Sequence, residues 1–76
     1  MVGKKGREIM SNLINALRLK LEGEVAVAKA NIEVYMTSSV GIGEHPDLVA
    51  AIESQFDVIA NARDKLDAID EFEKDE

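Results

Sequence analysis

The chain has 76 residues, a net charge of −6 and no cysteine. It can hold one small domain, and the absence of cysteine excludes a disulfide framework and thiolate metal sites. No apolar run approaches the roughly 20 residues of a membrane span, and the amino-terminal stretch lacks the apolar core of a signal peptide. We therefore expect a soluble cytoplasmic protein that contacts no membrane.

The amino-terminal region carries the opposite charge to the remainder of the chain. Residues 1–20 have a net charge of +4, which leaves −10 for the other residues. The cations are Lys4, Lys5, Arg7, Arg18 and Lys20. We expect residues 1–6 to form a flexible basic arm ahead of the first helix.

The first helix is predicted over residues 7–39, because apolar residues recur there in steps of three and four. One four-four step, from Leu17 through Leu21 to Val25, indicates a stutter that would relax a left-handed supercoil. Gly23 lies in the middle and costs about 1 kcal/mol relative to alanine. A break in the helix at Gly23 is an alternative, but "EGE" has no proline and no capping residue. The favoured explanation for a glycine at this position is that a second helix passes close to it. The predicted seam residues are Ile14, Leu17, Leu21, Val25, Ala28, Ile32 and Tyr35.

The segment "VGIGEHPD" is predicted to connect two helices, with the loop at residues 40–45. Gly41 suits the left-handed residue after a helix, and Pro46 suits the first position of the next helix. A metal site at Glu44, His45 and Asp47 is the competing interpretation. A zinc site takes three or four protein ligands, usually several His or Cys, and the chain has one histidine. We expect no metal, no cofactor and no catalytic residue.

The second helix is predicted over residues 46–72, followed by a frayed acidic tail at residues 73–76. Its predicted seam residues are Val49, Ile52, Phe56, Ile59, Leu66 and Ile69. A connection this short makes the helices antiparallel neighbours. Folding the chain about residue 42 places Ala28 opposite Phe56, and it brings the basic start of the first helix beside the acidic end of the second.

The predicted fold is an all-α antiparallel two-helix hairpin in a single domain, residues 1–76. Two helices bury one stripe each, and the cost of ordering the chain usually cancels so small a core. Some apolar side chains lie beside the seam and need another cover: Leu13, Val27, Val34, Leu48 and Val58. We therefore expect a homodimer that forms a four-helix bundle, with another protein as the alternative partner.

The residue types favour a non-enzymatic accessory or interaction protein. The carboxylates lie at helical spacings where solvation is the ordinary outcome, and no Glu-x-x-His spacing supports a di-iron bundle. The alternative function is a nucleic-acid-associated regulatory protein that uses the basic arm. The net negative charge of the protein, its few aromatic residues and the absence of a motif that reads nucleic-acid bases argue against that alternative.

Residues 29–72, "KANIEVYMTSSVGIGEHPDLVAAIESQFDVIANARDKLDAIDEF", resemble short uncharacterised helical proteins of tailed phages of marine bacteria, most specifically in "VGIGEHPDLVAAIE". The resemblance implies a small accessory protein made in the cytoplasm of an infected bacterial host. It implies no activity, cofactor or catalytic residue.

Overall fold

The protein is all-α over the residues that its computed structural model describes, which are 2–38 and 45–75 for the backbone and 8–37 and 47–75 for side chains. Helix α1 runs Val2–Ser38 and helix α2 runs His45–Lys74. The two helices pack against each other, and the described residues contain no strand. No described helix has a stretch long and apolar enough to cross a membrane.

Both helices are longer than the sequence predicts. Helix α1 begins at Val2, within the predicted flexible arm of residues 1–6, and α2 continues to Lys74. Lysine and arginine are good helix formers, and glycine weakens a helix at about 1 kcal/mol per residue without ending it. The predicted glycine cap lies outside the described residues, and Pro46 is the second residue of α2, one position later than predicted.

The core is a narrow seam between the helices. Its buried residues are Leu21, Ala28, Ile32, Ile59 and Ala62, which are 1 to 9% exposed. Ala28, Ile32 and Ile59 form one cluster, with Val25 and Ile52 packed against it. Four of the five buried residues are predicted seam positions, and Ala62 is an addition.

The helices are antiparallel, and side-chain contacts fix their register. Asn31 hydrogen-bonds Gln55, and Arg18 hydrogen-bonds Asp70. The midpoints of these pairs are residues 43 and 44, whereas the sequence predicts a fold about residue 42. A shift of this size changes which residues meet across the seam, so the predicted pairing of Ala28 with Phe56 is wrong.

The face of α2 that enters the seam differs from the predicted one. Phe56 is 55% exposed and Val49 is 66% exposed, so neither is a seam residue. Apart from Ala51, which is also half-buried, the buried and half-buried positions alternate steps of four and three, and we call them the inner stripe of α2: Leu48, Ile52, Gln55, Ile59, Ala62, Leu66 and Ile69.

The reason for this choice of face is charge. A stripe through Val49 and Phe56 would continue at the same period through Arg63 and Asp70 and would bury both ionised groups. Burying a charge costs more than leaving one aromatic ring half exposed. The stripe that forms has Gln55 as its one polar member, and its side chain is satisfied by Asn31.

Helix α1 shows the same kind of correction at one position. Leu17 is 43% exposed, and Arg18 is half-buried in its place. With Arg18, the steps alternate between four and three along the whole helix, and the predicted four-four step is not needed. The inner stripe of α1 is Ile14, Arg18, Leu21, Val25, Ala28, Ile32 and Tyr35.

Candidate interaction surface

A second stripe runs along α1 on the side turned largely away from the seam, with the same period and the opposite environment. We call it the outer stripe: Ile9, Leu13, Ala16, Lys20, Gly23, Val27, Ala30 and Val34. All eight residues are exposed, and Lys20 is the one polar member. A helix in a soluble monomer usually keeps its face away from the core polar, so this stripe calls for a cover.

The large apolar members of the outer stripe lie mostly in solvent. Leu13 is 60% exposed, Val27 is 62% exposed and Val34 is 55% exposed. These three are predicted oligomer contacts, and Val58 of α2, at 37% exposed, is a fourth. Leu48, the fifth, is half-buried and belongs to the inner stripe of α2, so it is not a free surface residue.

Val58 lies on the same side of the hairpin as the outer stripe. A shallow groove of about 470 Å³ is lined by Gly23, Val27 and Val58, with Lys20 and Glu24 at its edge. Both helices therefore contribute apolar groups to one face. We call this face the open face; it comprises the outer stripe and Val58.

Gly23 lies at the centre of the open face and has no packing role within one chain. A methyl group added at this residue would meet no atom of another part of the described chain within 4 Å. The prediction that a second helix passes close to Gly23 is therefore wrong for the helix of the same chain. A glycine in a helix interior is unfavourable, and the hairpin alone supplies no compensation for it.

The hairpin exposes far more surface than a folded monomer of its mass. Its accessible surface is 6094 Å², and a compact 8.3 kDa protein exposes about 4,600 Å². Its radius of gyration is 17.9 Å, against about 11 Å for a compact domain of this length. The excess of about 1,500 Å² lies within the range of about 1,000 to 2,500 Å² that each partner buries in an obligate dimer.

The end of the hairpin opposite the connection is held by a charge cluster. The guanidinium of Arg18 donates to Asp70 Oδ1 at 2.7 Å and to the carboxylate of Glu73. The hydrogen bond to Asp70 is the main cause of a raised pKa of Arg18, and the charge of Glu73 adds to it. These contacts bring one cation of the basic half of α1 against two carboxylates near the carboxyl-terminal end of α2.

A second ion pair lies within α1, at the edge of the groove. Lys20 Nζ donates to Glu24 Oε2 at 2.8 Å. This hydrogen bond, together with the charge of Lys20, lowers the pKa of Glu24, and Lys65 of α2 lowers it further. The one polar residue of the outer stripe is thus drawn along the helix surface toward Glu24 rather than standing alone on the open face.

The described side chains form no candidate metal site and no buried polar cluster. No group of three or more His, Asp or Glu side chains in residues 8–37 and 47–75 could hold a metal ion. Buried polar or charged residues are also absent from those ranges. The described surface does present large apolar side chains, and five of them lie on the open face: Ile9, Leu13, Val27, Val34 and Val58.

Sequence reasoning missed Arg18, Gln55 and Ala62 as seam residues and missed the continuity of the outer stripe. Following the sequence in alternating steps of four and three residues would have found all of them, because a regular stripe can contain one polar residue. Selecting the largest apolar residues instead favoured Leu17 and Phe56. It also failed to place Ala16, Gly23 and Ala30 in one stripe with the large apolar residues of the open face.

Comparison of the chain with family models, curated proteins and solved structures finds no match.

Proposed function

We propose that the protein is a small non-enzymatic accessory protein that acts as a homodimer, in which the open faces of two hairpins meet to form a four-helix bundle. The observation that carries the proposal is the outer stripe of α1. It continues a regular heptad spacing through eight residues that are exposed within the described part of the chain.

A second copy suits this surface in area and in shape. The excess accessible surface agrees with what one partner buries in an obligate dimer. The stripe extends along most of a 37-residue helix, as expected for a helix that packs lengthwise against another helix. We further propose that the protein acts in a phage-infected bacterial cell, as the resemblance of residues 29–72 implies.

The ion pairs of Arg18 and Lys20 argue against the nucleic-acid alternative. Arg18 is bound to two carboxylates of α2, and Lys20 is bound to Glu24. Of the five cations in residues 1–20, these two are the ones whose side chains are described. Phosphate contacts by this region would have to compete with the existing ion pairs.

The experiment is sedimentation equilibrium of the wild-type chain and of two lysine variants. Val27→Lys places a charge on the open face, and Leu19→Lys places the same charge at a site that is 61% exposed and off the outer stripe. We expect twice the chain mass of 8.3 kDa for the wild type and for Leu19→Lys, and the single mass for Val27→Lys. A wild-type chain that stays at its single mass at high concentration would contradict the proposal.

A further inference from the structure

The outer stripe has an internal symmetry centred on Gly23. Moving away from Gly23 in either direction, the stripe meets a small residue seven positions away, Ala16 on one side and Ala30 on the other. Beyond these lie two large apolar residues, Leu13 and Val34. Apart from Lys20 and Val27, the two members next to Gly23, the stripe has the same order of small and large residues in both directions, so it can pack against a second copy of itself in the antiparallel sense.

The charge of α1 selects the same orientation. Residues 1–20 have a net charge of +4, and residues 21–38 carry three glutamates and one lysine, a net charge of −2. Two parallel copies of α1 would place the two basic halves side by side. Two antiparallel copies place each basic half beside an acidic half, which is favourable within a screening length of about 10 Å.

Gly23 gains a role in this arrangement that the single hairpin does not give it. The open space over its backbone is where the second helix would pass. Small residues at a contact let helix axes approach toward the lower end of the 8 to 10 Å range. The groove beside it, between Val27 and Val58, then takes side chains of the second copy.

We infer that the dimer forms by antiparallel pairing of two α1 helices, with Gly23 of one copy against Gly23 of the other on the two-fold axis. Leu13 of each copy then packs near Val34 of its partner, and Ala16 packs near Ala30. Val58 lies at the flank of this contact. The inference rests on the proposed function, because it specifies the geometry of the same dimer.

The variant Gly23→Leu distinguishes the antiparallel dimer from a hairpin that acts alone. In the single hairpin, the Cβ atom that Gly23→Leu adds has no neighbour within 4 Å and leucine improves helix propensity, so the melting temperature would rise. In the dimer, two added side chains collide on the two-fold axis, and we expect the dimer dissociation constant to rise at least about tenfold. The matched control is Ala26→Leu, at an exposed site of α1 that is off the outer stripe. A Gly23→Leu chain that dimerises as tightly as the wild type would overturn the inference.

A distance measurement tests the orientation without disturbing the contact. Because the chain has no cysteine, Glu8→Cys gives one attachment site for a spin label, and residue 8 is exposed and off the outer stripe. With Gly23 on the two-fold axis, each label lies level with residue 38 of the partner. The labels are then separated along the axes by about 45 Å.

A pulsed electron resonance distance of about 45 Å or more supports the antiparallel pairing, and a distance under about 30 Å in a dimer overturns it, since parallel copies keep the labels side by side. The mass of the labelled chain is measured in the same sample. A dimer with short distances contradicts the geometry alone, whereas a chain at its single mass contradicts the proposed function as well.

Discussion

The two stripes of α1 share one helix, one period and nearly the same apolar content, yet they have opposite environments. Leu21 and Ala28 of the inner stripe are each 1% exposed, whereas Leu13 and Val27 of the outer stripe are 60% and 62% exposed. The difference arises because α2 has one suitable apolar stripe and can cover one face of α1. The outer stripe is therefore the part of α1 that α2 leaves exposed, and it is the surface that the proposed dimer would cover.

The inner stripe provides the largest expected effect, since it contains the one large side chain that is fully buried. Leu21→Ala removes this side chain from the seam, and we expect a loss of about 2 to 5 kcal/mol in the free energy of unfolding. Leu19→Ala, two residues away and 61% exposed, is the control and should stay within about 0.5 kcal/mol of the wild type. Urea titration followed by circular dichroism measures both. Equal losses in the two variants would show that the seam is placed wrongly.

The charge cluster at Arg18 should give a smaller effect that depends on salt. Arg18→Gln removes both cross-helix ion pairs and leaves Asp70 and Glu73 without their shared cation. We expect a lower melting temperature at low ionic strength and a smaller difference from wild type in 1 M NaCl, where screening extends over about 3 Å. Lys20→Gln, which breaks a pair within one helix, should change the melting temperature less. A salt-independent difference would mean that Arg18 acts by packing alone.

The pair between Lys20 and Glu24 should give the smallest effect, and it depends on pH. The pKa of Glu24 is lowered from its usual 4.5 by the hydrogen bond and charge of Lys20. A lowered pKa in the folded state means that the carboxylate stabilises the fold above pH 4.5 and loses this contribution as the pH falls through the folded-state value. Glu24→Gln should therefore be less stable than wild type at neutral pH and converge with it once the pH falls below the folded-state pKa of Glu24. A difference in unfolding midpoint that is unchanged at acid pH would contradict this.

The sequence alone predicts the helices, their antiparallel packing and most of the buried core, because apolar spacing and one short connection are sufficient for these features. It does not by itself select the face of α2. Ile52, Ile59 and Leu66 belong to both possible stripes of that helix, and the choice depends on the charges at Arg63 and Asp70. Counting apolar residues by size favoured Phe56, whereas counting the cost of burying charge favours the face that forms.

The sequence alone predicts part of the open face. Leu13, Val27 and Val34 stand out in the sequence as apolar residues left over from one stripe. Gly23 could not be interpreted without the structure, since its meaning depends on whether another part of the same chain covers it. The structure shows open space there, and this absence of an internal neighbour turns a weak point of the helix into evidence for an external one.

The concentration dependence of thermal unfolding tests most directly whether a second copy covers the outer stripe. A protein whose core is completed by dimerisation has a melting temperature that rises with chain concentration, because mass action favours the dimer. We predict such a rise for the wild type across a hundredfold range of concentration and its loss in Val27→Lys. A wild-type melting temperature that is the same at every concentration would contradict the account.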